Sequence, residues 1–141
     1  MKLEYAFCAK FADVGLDGLM SAIGVGLDSL NTAQFPAVVS GMAVAGCVTV
    51  PLEEVEGDHK MRIELFGPSG DKHPLELEFP VVVQRVEGVT RPPRWSFAVT
   101  LQNVVFGVQG RHEFRLLIDG RQIGSVALHV DRQAASQGGQ T

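Results

Sequence analysis

The sequence is poor in the residues that mark a disulfide scaffold, a membrane span or an aromatic ligand platform. Two cysteines, one tryptophan and one tyrosine occur in 141 residues. Cys8 and Cys47 allow at most one bridge and fit no zinc or redox spacing, which excludes a disulfide-built fold. One Trp and one Tyr are too few for the usual stacking platform of a sugar-binding sandwich, so a carbohydrate- or lipid-binding role ranks last. No apolar run approaches the ~18 residues of a membrane helix, and no membrane partner is expected. Glu4 and Lys10 stand where a signal peptide needs an unbroken apolar stretch, which predicts a cytoplasmic protein with reduced thiols. Basic residues are not in excess: twelve Lys and Arg face sixteen Asp and Glu, net −4, an unfavourable balance for a nucleic-acid binder. Helical periodicity is also missing.

What the chain does contain is apolar material arranged in twos. Apolar residues make up 45% and charged residues 20%, enough for a core and too few charges for a disordered chain. Met61, Ile63 and Leu65 alternate with Lys60, Arg62 and Glu64, the mark of a strand with one dry and one wet face. Leu75, Leu77, Phe79, Val81 and Val83 form a similar row, and Pro80 marks this strand as an edge, or as ending early, because proline cannot donate to a ladder. Leu3, Tyr5, Phe7, Ala9 and Phe11 open the chain with one parity. A second strand is expected near Leu19–Leu30 and a long third over Ala37–Val50, where Gly41 and Gly46 suggest a bend or bulge. Trp95, Phe97, Val99 and Leu101 continue the pattern, with Trp95 facing inward. Asp119-Gly120 signals a tight hairpin. Turn residues separate about eight such segments. The expected fold is all-β, a two-sheet antiparallel β-sandwich of immunoglobulin-like or C2-like character with little or no helix. Residues 1–130 form the domain, and 131–141 form a polar tail.

Several local features group together: Tyr5-Ala6-Phe7 with Phe11-Ala12-Asp13, Ile23-Gly24-Val25-Gly26 before Asp28, Phe35-Pro36, Gly67-Pro68-Ser69-Gly70, Asn103 with Phe106, Gly110 with Phe114, and Asp119-Gly120. With these the chain resembles a family of small, single-domain bacterial β-sandwich proteins of unknown function. The resemblance implies the fold and a bacterial cytoplasmic setting, and it implies no catalytic residue.

Nucleophilic catalysis needs a Ser or Cys supported by a His and an acid. There is no G-x-S-x-G elbow. Cys8 shares the parity of Glu4 and Lys10, so partial exposure is expected there. Gly24-x-Gly26 lacks the third glycine and the following helix of a phosphate loop, and Asp13, Asp17 and Asp28 do not follow the spacing of a calcium loop. An alternative is a metal-binding hydrolase or sensor in which His59, His73, Asp58 and Asp71 converge at one end of a hairpin.

Charge is unevenly spread. Residues 1–70 carry four basic and nine acidic groups, and seven of the eight arginines follow residue 84. Arg85, Arg91 and Arg94 flank a proline-rich loop beside Trp95, a composition suited to an interface. In Ala37–Val50 both parities are apolar, and Val39, Ala43 and Ala45 stand on the side where a wet face would carry polar groups, so the strand is either covered on both sides or faces a partner. The leading expectation is a non-enzymatic interaction or assembly module that associates with itself or a protein partner. It uses Arg85, Arg91, Arg94, Val39, Ala43 and Ala45, with no cofactor, no metal and no small-molecule substrate.

Overall fold

The alternation is realised as strands throughout. The computed structural model describes residues 1–84 and 86–133. Its strands are β1 (Lys2–Ala9), β2 (Phe11–Val14), β3 (Met20–Ile23), β4 (Ser29–Thr32), β5 (Ala37–Val39), β6 (Met42–Thr49), β7 (His59–Phe66), β8 (Lys72–Val81), β9 (Arg94–Leu101), β10 (Val104–Phe106), β11 (Gly110–Ile118) and β12 (Arg121–Arg132). A single 3-10 turn, Leu52–Glu54, is the only helical element among the described residues. There are twelve strands rather than eight, in part because two expected segments break. Leu19–Leu30 divides into β3 and β4 around Gly24 and Gly26, and Ala37–Val50 divides into β5 and β6 at Ser40-Gly41. Asp131 and Arg132, expected in the tail, belong to β12 and pair with Asn31 and Thr32. Residues 134–141 of that tail lie outside the described residues.

Two principal sheets form the sandwich. One has the order β1-β6-β9 and the other β4-β12-β11-β7-β8. Pairing is antiparallel except for β12 with β4, which is parallel. Met42, Val44 and Phe97 of the first sheet meet Ile63, Phe114 and Leu116 of the second in one buried cluster. Each such side chain contributes roughly 1.5–3 kcal/mol through removal from water. The second sheet's outer face is wet, as its alternation predicts: Lys72 Nζ lies 3.0 Å from Glu64 and 2.9 Å from Glu76, and Glu113 accepts from Arg115 and Arg111.

The first strand does not keep one parity. Its register with β6 shifts between Leu3 and Tyr5, and a bulge of this kind turns the following side chains to the opposite face. Leu3 therefore packs on the main core, as do Ala6 and Cys8, while Phe7 points out of the sandwich. Gly46 accommodates the bulge, since a Cβ there would meet the Tyr5 carbonyl oxygen at 2.5 Å. Cys8 is consequently buried rather than partly exposed, and burial pushes its thiol up to about 12.

The outward face of β6 is covered by the chain itself. After β1 the backbone folds back, and the β2–β3 ribbon lies across β6 and β9 as a third layer. Ala12, Met20 and Ala22 of the ribbon pack on Phe7, Ala43, Ala45 and Ala98. Both parities of β6 are apolar because both are enclosed, which removes the expectation that Ala43 and Ala45 meet a partner. Each is fully buried. Ala45→Leu should separate ribbon from sheet and cost about 1–3 kcal/mol, while Phe11→Ser on the ribbon's exposed side should be close to neutral. Urea denaturation of the two variants checks this difference.

Candidate functional site

The third layer and the second sheet leave the edge of β9 open among the described residues. β9 is the last strand of its sheet. Val50 N–H donates to the Pro93 carbonyl at 2.9 Å, which fixes the ladder phase, because residues that exchange hydrogen bonds recur at every second position. Trp95, Phe97, Val99 and Leu101 thus bond to β6, and the N–H and C=O groups of Arg94, Ser96, Ala98 and Thr100 point away from it. Among the described residues no backbone hydrogen bond engages those outward groups.

A groove of about 470 Å³ follows this edge, lined by residues 95–100 with Val14 on one side and Phe79 on the other. Phe79, Trp95 and Phe97 form an aromatic wall, with ring centroids 6.1 Å apart for Phe79–Trp95 and 5.5 Å for Trp95–Phe97. Trp95 is half-buried and packs against the core, in keeping with its parity. Arg94 opens β9 and is exposed beside Glu4, whose carboxyl is held below its ordinary value by the Thr49 hydroxyl and, more weakly, by Lys2 and Arg94. Arg91 is exposed in the preceding loop. Arg85 lies outside the described residues. Val39 is half-buried in β5, opposite Val104 of β10. Of the expected interaction residues, then, Arg94 adjoins the groove at the start of β9, and Arg91, Val39, Ala43 and Ala45 do not line it. Phe79 and Val14 were not expected there. Phe79 carried a signal as an inward residue beside Pro80, whereas the position of Val14 follows from the fold-back of the ribbon.

The residues considered for a metal do not converge. The β7–β8 register pairs His59 with Val81 and Phe66 with Lys72, so His59 and His73 sit at opposite ends of the hairpin. Asp58 and Asp71 are exposed beside them. Both imidazoles are occupied. His73 Nδ1 accepts the Leu75 N–H at 2.9 Å, so its Nε2 carries the proton and donates to the Val105 carbonyl at 2.7 Å. His59 Nδ1 lies 2.5 Å from Asp119 Oδ2, and Nε2 lies 2.7 Å from the Glu54 carbonyl oxygen. Both oxygens are acceptors, so both hydrogen bonds are made together only by the protonated ring, the form that the Asp119 carboxylate favours by raising the His59 pKa. Among the described residues no three His, Cys, Asp or Glu side chains gather to hold an ion.

His59 instead ties three segments together. Asp119, in the left-handed region at φ 52°, also accepts the Lys60 N–H at 3.1 Å. This fixes the β11–β12 turn to the start of β7, and Glu54 adds the 3-10 turn. A cavity of about 270 Å³ beside the clamp is lined by Arg121, Ile118 and Ile123 as well as His59, Asp119 and Glu54. At the other end of the sandwich His112 is buried edge-on to Phe106 and donates from Nδ1 to the Gly110 carbonyl. Desolvation lowers its pKa. Its parity with Phe114 and Leu116 is a readable sign of burial.

A sandwich covered on one side by its own third layer, with an open strand edge at β9 that is uncharged after Arg94, is the class of domain that fold and site define. Residues 4–131 match the family described as a family of unknown function (DUF6941), and the chain belongs to that family. No curated protein and no solved structure matches it. No helix among the described residues is long and apolar enough to cross a membrane.

The His59 clamp makes stability depend on pH in a definite direction. The Asp119 hydrogen bond raises the His59 pKa, and His59 lowers that of Asp119. The His59 contribution is full below its ordinary value of about 6.5 and fades as pH rises through its raised folded value. The Asp119 contribution is full above the ordinary carboxylate range and is lost as pH falls through the lowered one. The parent protein's urea midpoint should fall as pH rises above ~6.5, and Asp119→Asn, which tolerates the turn conformation, should flatten that fall. An unchanged slope would show that the clamp does not set it.

Proposed function

We propose that this protein is a non-enzymatic cytoplasmic interaction module that takes up an extended strand of a protein along the β9 edge. The observation that carries this reading is the row of outward backbone groups at Arg94, Ser96, Ala98 and Thr100, set in a groove with apolar walls. Backbone donors and acceptors spaced along a strand recognise another strand, and flanking pockets for alternate side chains supply selectivity. Val14, Phe79 and Trp95 give the groove apolar contacts, and Arg94 gives one end positive charge. In an antiparallel arrangement an incoming strand would bring its C-terminal end to Arg94, where an uncharged polar or an acidic side chain avoids like-charge repulsion.

A photocrosslinking residue placed at Thr100 in the living host tests the reading. Discrete protein adducts should form at position 100 and be lost when Ser96→Pro removes an outward donor. A control crosslinker at Glu78, on the charged β8 edge, should give far fewer. Equal yields at both positions, or adducts insensitive to Ser96→Pro, would count against strand capture at β9.

A further inference from the structure

We infer that the strand taken up at β9 is β9 of a second copy, so that two chains join their three-stranded sheets edge to edge. This rests on the strand-capture reading and names its partner. The other edges of the two principal sheets are guarded in ways that β9 is not. The β8 edge carries Pro74 and Pro80 among Lys72, Glu76 and Glu78. The β4 edge is four residues long. The β1 edge is bulged, packs Leu3 against Gly124 of β12, and has its Cys8 carbonyl capped by Gly26 N–H at 3.1 Å and Leu27 N–H at 2.9 Å. β9 pairs with β6 without a register shift, contains no proline, and after Arg94 holds no charge through Leu101. A long, regular, uncharged edge is a template for pairing with another strand.

The strand is also complementary to itself. An antiparallel pair of identical strands is two-fold symmetric, so one patch serves both copies. With the axis at Phe97, Arg94 falls opposite Thr100 of the second copy and Ser96 opposite Ala98. Every outward N–H then meets an outward C=O. In this register the two Arg94 side chains are kept apart, each beside a threonine, so no like charges face one another. Val14 and Phe79 flank the edge on each copy, and the joined strands lie between two sets of apolar walls.

Sedimentation velocity on the purified full chain across the micromolar range tests this. The parent protein should show a concentration-dependent dimer. Thr100→Pro should weaken it by at least about tenfold, because two inter-chain hydrogen bonds are lost across the symmetric pair. The N–H at this position faces away from β6, so the far-UV β spectrum should be unchanged. Ser96→Pro should act in the same way. Arg94→Cys/Thr100→Cys should give a disulfide-linked dimer on mild oxidation, since directly hydrogen-bonded antiparallel residues have Cα atoms about 5.5 Å apart, within disulfide range. The buried Cys8 and Cys47 are not positioned to compete. A monomer at every concentration would overturn the second-copy pairing, as would a dimer indifferent to both proline variants. Such a monomer that still forms Thr100 adducts with a different protein in the host would remove the second copy and leave strand capture standing. A monomer without adducts would remove both.

Discussion

Three small side chains on the outward face of the first sheet, Ala43, Ala45 and Ala98, decide how this chain closes. A larger residue at any of them would hold the β2–β3 ribbon away from the sheet. The ribbon can only reach that face because the bulge at Leu3/Tyr5 turns Phe7 outward and the chain folds back at Lys10. One local irregularity and one stripe of alanines thus convert a two-layer sandwich into a three-layer arrangement on one side. The energetic logic is ordinary burial and close packing, in which volume matters at the scale of a methylene.

The same closure determines what remains available. The second sheet presents a ladder of paired charges to solvent and needs no cover. His59, His73 and His112 each donate to a backbone carbonyl, and His59 also engages Asp119. These histidines stabilise turns and strand junctions. The feature left over is a backbone edge, whose unmet hydrogen-bonding groups are chemically specific for another strand even though no side chain in it is reactive.

Much of the fold was readable from alternation. Residues 59–66 form a strand as read, because one face is wet and the other dry. The inward row Leu75, Leu77, Phe79 and Val81 is also found, in a strand that begins earlier, at Lys72, and ends at Val81, so that Pro80 stands both on the sheet edge and next to the strand's end. Asp119-Gly120 marked its turn through the positive φ that both residues adopt. The outcome differed where a strand had no wet face. In β6 alternation carries no information about what covers each side, so the sequence could not distinguish a docking surface from a strand enclosed by its own ribbon. Parity along β1 failed at the bulge, because an inserted residue reverses every later side chain without leaving a compositional trace. The pairing of His59 with Asp119 joins positions sixty residues apart, and only the β7–β11 register brings them together. The β9 edge was unreadable for a related reason: whether a strand is central or terminal depends on sheet order, which alternation does not encode.

Amide hydrogen exchange along β9 tests the central claim most directly, since it reports each backbone group separately. In protein diluted to the monomer, Trp95, Phe97 and Val99 should exchange slowly and Ser96, Ala98 and Thr100 quickly, with protection alternating residue by residue. Slow exchange at Ser96 and Ala98 under the same conditions, equal to that at Phe97 and Val99, would mean the chain already caps this edge and would contradict the account.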